Sequence, residues 1–137
     1  GCRALSRHCG VPIILDERFV KVGQFPLIEG EPSLWILNIR VSKMGGLLRA
    51  CTVAARAKAA GIPIVVGAQV GETSILTRVA LVVADRYRDI LIAQEGAVGT
   101  HLLEYDLCEP PLMFGRGGCL ADTVFYGRSG LGLSFAR

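Results

Sequence analysis

The chain has 137 residues, of which 51% are hydrophobic and only 20% charged, with a formal net charge of +3. Its basic residues are scattered and do not alternate with aromatics in a block, which argues against a nucleic-acid partner. No apolar run reaches the roughly 18 residues that a membrane span needs, and the first residues lack the apolar core and cleavage site of a secretory signal.

A mean hydropathy of +0.45 is high for a small free-standing domain, whose large surface-to-volume ratio calls for more polar residues. Composition therefore predicts an interior-rich piece of something larger. Five cysteines form no CxxC pair and make an odd number, which disfavours both zinc ligation and a disulfide framework. Free thiols in a reducing cytoplasm are the simplest account.

Residues 1–10 read as the end of a helix. The run VPIILD (11–16) has the apolar, β-branched character of a buried parallel strand, with Asp16 and Glu17 at its end. LWILNIR (34–40) is similar but places Asn38 and Arg40 on alternate positions. Gly45 and Gly46 then lead into a helix predicted over 46–61, which is rich in alanine and leucine and stops at Gly61. IPIVVG (62–67) is the next strand. A helix is predicted over 72–87, with Glu72 in its first turn, where a carboxylate suits the helix dipole. HLLEYDL (101–107) alternates as a strand does, placing Glu104 and Asp106 on one face and His101, read as structural, at its start. Residues 109–118 read as a loop, and the tail as a turn followed by an extended piece. The glycines at 127, 130 and 132 have the spacing G-x-x-G-x-G, which is not the order of a dinucleotide-binding loop.

Strand, helix, strand, helix, strand is the rhythm of parallel βα units, and the fold class is α/β. In such architectures functional groups gather at the carboxyl ends of strands. That rule selects Asp16, Glu17, Arg40, Lys43, Gln69, Glu72, Glu104 and Asp106.

The segments VPIILDE, LNIRVSKMGG, AAGIPIVVG, ETSI and the terminal GLGL, in this order, resemble the carboxyl-terminal barrel half of the enolase superfamily. The branch most similar is that of muconate-lactonizing enzymes and dipeptide epimerases, within the mandelate racemase/muconate lactonizing enzyme family. The resemblance implies the C-terminal part of a (β/α)7β TIM-type barrel, with about four parallel strands and intervening helices. It implies a division into barrel (1–108) and a C-terminal loop and extended segment (109–137) that returns toward a capping domain. It further implies magnesium, isomerase or lyase chemistry that removes the proton α to a substrate carboxylate, and a homo-oligomer when the protein is complete. Asp16 matches one of the metal carboxylates, with Glu17 beside it as an ion-pairing residue. Asn38, Gln69, Glu72, Glu104 and Asp106 are the expected substrate contacts.

Arg40 occupies the position at which the branch carries a lysine acid/base. A guanidinium cannot serve as a base at neutral pH, so Arg40 is expected to act as a fixed positive charge. Lys43 lies on the opposite strand face unless the chain turns sharply after Val41. One-base cycloisomerisation or dehydration is therefore expected ahead of two-base racemisation. The alternative is a non-catalytic βα domain in which Arg40 pairs structurally with Glu104 or Asp106. A third possibility is a phosphate site at the Gly45–Gly46 helix start. The earlier metal ligands and strands have no counterpart in the sequence, which predicts that the chain alone is an inactive part of a truncated or split barrel.

Overall fold

The computed structural model describes residues 1–120 and 128–136, so Gly127 of the glycine-rich tail lies outside the described residues. Helix α1 (Cys2–Cys9) ends at Gly10, whose φ of 68° is the left-handed conformation that closes helices. Its buried Ser6 donates a hydrogen bond to the Val11 carbonyl at 2.7 Å and fixes the entry into strand β1 (Ile13–Leu15).

From β1 the chain crosses to strand β2 (Trp35–Arg40) without an α-helix. A 3-10 turn at Val22–Leu27 buries Phe25, which meets Phe19 edge-on at 5.1 Å. The Gln24 side chain secures this turn, accepting from the Val20 N–H at 2.9 Å and donating to the Arg18 carbonyl at 2.7 Å. After β2 come helix α2 (Val41–Met44), helix α3 (Leu47–Ala59), strand β3 (Ile64–Gly67), helix α4 (Ser74–Arg86), strand β4 (Leu91–Gln94) and helix α5 (Gly99–Leu102).

The strands form one parallel sheet whose order, β1-β2-β3-β4, is the order of the sequence. There is no reversal of direction along the sheet, as in a barrel wall and unlike a doubly wound sheet. Leu37, Ile39, Ile64 and Val66 point to the helices and are wholly buried. They meet Ala50, Val53, Ala54 and Ala57 of α3 and Val79, Ala80, Val83 and Ala84 of α4. Small residues at helical spacing let both helices lie close on the sheet, and each large side chain buried there contributes about 1.5–3 kcal/mol.

Two sequence expectations are corrected. The fourth strand is Leu91–Gln94, whereas 101–107 begins in the end of α5 and continues as irregular chain. The short apolar run at 90–93 carries no readable period, while the alternation of HLLEYDL exposes Leu102, Tyr105 and Leu107 on no partner strand. Glu72 also precedes its helix: α4 starts at Ser74, with Thr73 in the flanking cap position. The tail folds back, with Ala136 N–H donating to the Leu107 carbonyl at 3.0 Å and Glu109 N–H to that of Ser134 at 2.9 Å. No described helix is long and apolar enough to cross a membrane.

Candidate active site

Side chains alternate between the two faces of a strand. In β2 the helix-facing Leu37 and Ile39 are therefore interleaved with Asn38 and Arg40 on the other face. Pairing carries that second face across the sheet: Asn38 stands beside Val65, Arg40 beside Gly67, and Val65 beside Ala93. Between Ile64 and Val65 the register with β4 slips by a residue, so that Ile64 opposes Leu91 but Val65 opposes Ala93. The slip puts Glu95, just past the strand, on the face of Asn38 and Arg40.

Asp16 is the centre of the rim. Its Oδ2 pairs with Arg40 Nη2, and its Oδ1 lies 2.6 Å from Lys43 Nζ. Arg40 Nη1 reaches Glu17 Oε1 at 3.1 Å and Gln69 Oε1 at 3.2 Å. Lys43 Nζ also donates to the backbone oxygens of Asp16 at 2.7 Å and Asn38 at 3.2 Å, so all three ammonium hydrogens have acceptors. Its side chain is only 9% exposed.

This meets the condition set for Lys43, a sharp turn after the strand. The chain turns immediately after Arg40 into α2, and Gly45 and Gly46, with φ of 83° and 108°, close that turn. The turn swings Lys43 back over the end of β2 to Asp16.

The other expected residues divide. Gln69 joins the rim through Arg40. Glu72 is 7% exposed and accepts from the Ser42 hydroxyl at 3.0 Å, within the rim wall. Asn38 is 3% exposed and donates from Nδ2 to Glu95 Oε1 at 3.3 Å. Asp106 instead caps a helix: Oδ2 accepts from the Ser74 N–H at 2.9 Å and Oδ1 from the Cys108 N–H at 2.8 Å. Glu104 is exposed in a shallow hollow with Tyr105 and Met113. Neither acid meets Arg40, whose carboxylate partners are Asp16 and Glu17. Burial, reinforced by the Asp106 charge, pushes the Cys108 thiol above its ordinary range.

Glu95 is the rim residue that the sequence reading missed. Its one sequence signal is its place after the apolar run 90–93, which is too short to read as a strand. Its Oε2 accepts from the Ala68 N–H at 3.1 Å, and its own N–H donates to the Val66 carbonyl at 2.9 Å.

A family profile described as "Enolase C-terminal domain-like" matches residues 1–137. The chain belongs to this enolase C-terminal domain-like family. An N-acetyl-D-glutamate racemase from Pseudoalteromonas sp is 30% identical over 81 residues, a stretch covering 58% of this chain and 25% of that protein. No solved structure matches. The expected fold class, part of an enolase-type barrel with parallel strands and helices between them, is borne out.

Members of the enolase superfamily generally bind magnesium, an ion that takes oxygen ligands in near-octahedral geometry. Among the described residues no group of three or more His, Cys, Asp or Glu converges on one point. Asp16 is the carboxylate best placed, and both its oxygens are engaged by cations. The donor set of these residues does not by itself fit a magnesium ion.

Proposed function

We propose that this chain is part of a larger barrel enzyme that moves the proton α to a substrate carboxylate, with racemisation as the reaction type. The observation that carries the reading is the convergence of Arg40 and Lys43 on Asp16 at neighbouring strand ends. Two cations held at one point form a field suited to a carboxylate and to the negative charge that grows as a carbon acid is deprotonated. Arg40 binds and orients: Glu17, whose side chain is 70% exposed, is its replaceable partner, so a substrate carboxylate can take that place at Nη1. Lys43 is the group of the pair able to give or take a proton, and it would serve one face of the substrate; the group that removes or returns the proton on the other face would come from the rest of the barrel. The racemase named among the relatives supports a carboxylate substrate with an acylated α-nitrogen.

In this reading Asp16 would hold a magnesium ion only together with carboxylates from a preceding barrel half, giving up its cation contacts to do so, and the protein works in the reducing cytoplasm. Among the described residues no strand pairs with the outer edges of β1 and β4, which supports such completion, since a parallel sheet is ordinarily covered or closed.

The test is α-proton exchange of N-acetyl-D-glutamate and N-acetyl-L-glutamate in D2O, followed by NMR with the intact protein. Exchange that falls by about 100-fold or more in Lys43→Met is expected of a proton-transfer group. A non-catalytic reading draws on the same ion pairs as a structural lock; wild-type protein that exchanges neither enantiomer favours it.

A further inference from the structure

We propose that Asn38 is a positioning residue that aims the Glu95 carboxylate at the barrel-facing side of the rim, where Glu95 binds a hydrogen-bond donor of the substrate such as an amide N–H or ammonium. The inference rests on the proton-transfer reading for its ligand, and on the geometry alone for the role of Asn38.

Asn38 is a polar residue in the middle of the otherwise apolar strand WILNI, and it is 3% exposed. Burying an amide there is costly unless its hydrogen bonds are made. One side of the amide is met: Nδ2 donates to Glu95 Oε1 at 3.3 Å. The other is not, for Oδ1 is buried without a hydrogen-bond partner. A leucine would fill the same space with no orphaned acceptor, so packing does not account for asparagine. What asparagine supplies is the donor to Glu95.

The sheet makes room for this. A β-carbon at residue 67 would stand 2.0 Å from Asn38 Oδ1, 2.8 Å from Cγ and 2.9 Å from Nδ2. The amide therefore lies flat across the backbone of β3 at Gly67, the residue paired with Arg40. From there it reaches past β3 to the end of β4. With Ala68 N–H on the second oxygen at 3.1 Å, each Glu95 oxygen carries one donor and keeps acceptor capacity to spare.

Among the rim carboxylates Asp16 is matched by two cations, Glu17 by Arg40, and Glu72 is buried against Ser42. Glu95 is exposed and has no cationic partner among the described residues. It is an oriented acceptor that presents negative charge to whatever approaches the Arg40–Lys43 pair.

The experiment is a double-mutant cycle in the intact protein, using the N-acetylglutamate exchange assay. Asn38→Leu and Glu95→Gln should each raise KM about tenfold, the worth of one hydrogen bond to a charged group, with kcat little changed. The double variant should be no worse than Glu95→Gln alone. Additive effects, or an Asn38→Leu protein with unaltered KM, would overturn the proposal. If Asn38→Leu does not fold, Asn38→Ser, which is smaller and equally unable to reach Glu95, takes its place. A readout that needs no turnover separates this inference from the functional reading: hydrogen exchange of the Ala68 N–H. Loss of the Asn38 donor should free Glu95 and speed that exchange about tenfold, leaving Ile39 unaffected. Unchanged protection at Ala68 would sink the positioning role, whereas faster exchange in a protein inert toward N-acetylglutamate would sink only the substrate assignment.

Discussion

Lys43 Nζ lies 2.6 Å from Oδ1 of Asp16 and 2.7 Å from its backbone oxygen, so a single ammonium ties the α2 turn to the end of β1. Both side chains are largely shielded, at 9% and 29% exposure. Replacing Lys43 by Met removes these bonds and leaves Asp16 with Arg40 alone. We expect a loss of about 2 kcal/mol, read by urea denaturation. Arg7→Ala, which breaks the open pair with Glu31, should cost under about 1 kcal/mol. Equal effects would contradict the distinction drawn between rim and surface.

Gly67→Ala tests the seating of the Asn38 amide. The added methyl would overlap Oδ1 and force either the amide or the strand to move. Overpacking of this kind costs about 1–3 kcal/mol. Gly30→Ala, where nothing lies within 4 Å of the new carbon, is the control and should leave the melting temperature within a degree or so of wild type.

Asp106→Ala should destabilise α4. The carboxylate satisfies the Ser74 N–H at the helix start and holds the Cys108 N–H beside it. Loss of a helix cap costs about 1 kcal/mol. If Asp106 is a cap and not a substrate contact, KM for N-acetylglutamate should stay at the wild-type value while stability falls.

Cys108 should be the slowest cysteine to alkylate. Cys2, Cys9 and Cys119 are exposed, whereas Cys108 is 3% exposed with its thiol raised by burial and by Asp106. A raised thiol favours the neutral form in the folded state. Its contribution to stability is therefore complete below the ordinary thiol range and is lost as pH climbs through the raised value. Iodoacetamide labelling at pH 8, resolved by peptide mass, should modify the exposed cysteines first. Early labelling of Cys108 would show that its neighbourhood opens.

The parallel α/β character was legible because IPIVVG and LWILNIR are apolar runs with β-branched residues, and because the alanine-rich helix announces itself by composition. The rim residues Asp16, Arg40 and Gln69 were legible from their position at strand ends. Lys43 was selected by the same rule, but its contact with Asp16 was not legible, because strand alternation has no knowledge of a turn that begins one residue after Arg40. The fourth strand failed for a different reason. Its apolar run is too brief to show a period, while 101–107 shows the right period with no neighbouring strand to pair with. Asp106 was read as a strand acid and proved to be a cap, a role fixed by a helix 32 residues earlier in the chain. Glu95 was lost with its strand.

In β2, odd-numbered side chains bury themselves against the helices and even-numbered ones address the opposite face. Stability and chemistry are thus written on separate letters of the same word. Exchanging the guanidinium at 40 for another head group leaves Leu37 and Ile39 undisturbed, so such a scaffold can change its reagent while keeping its frame.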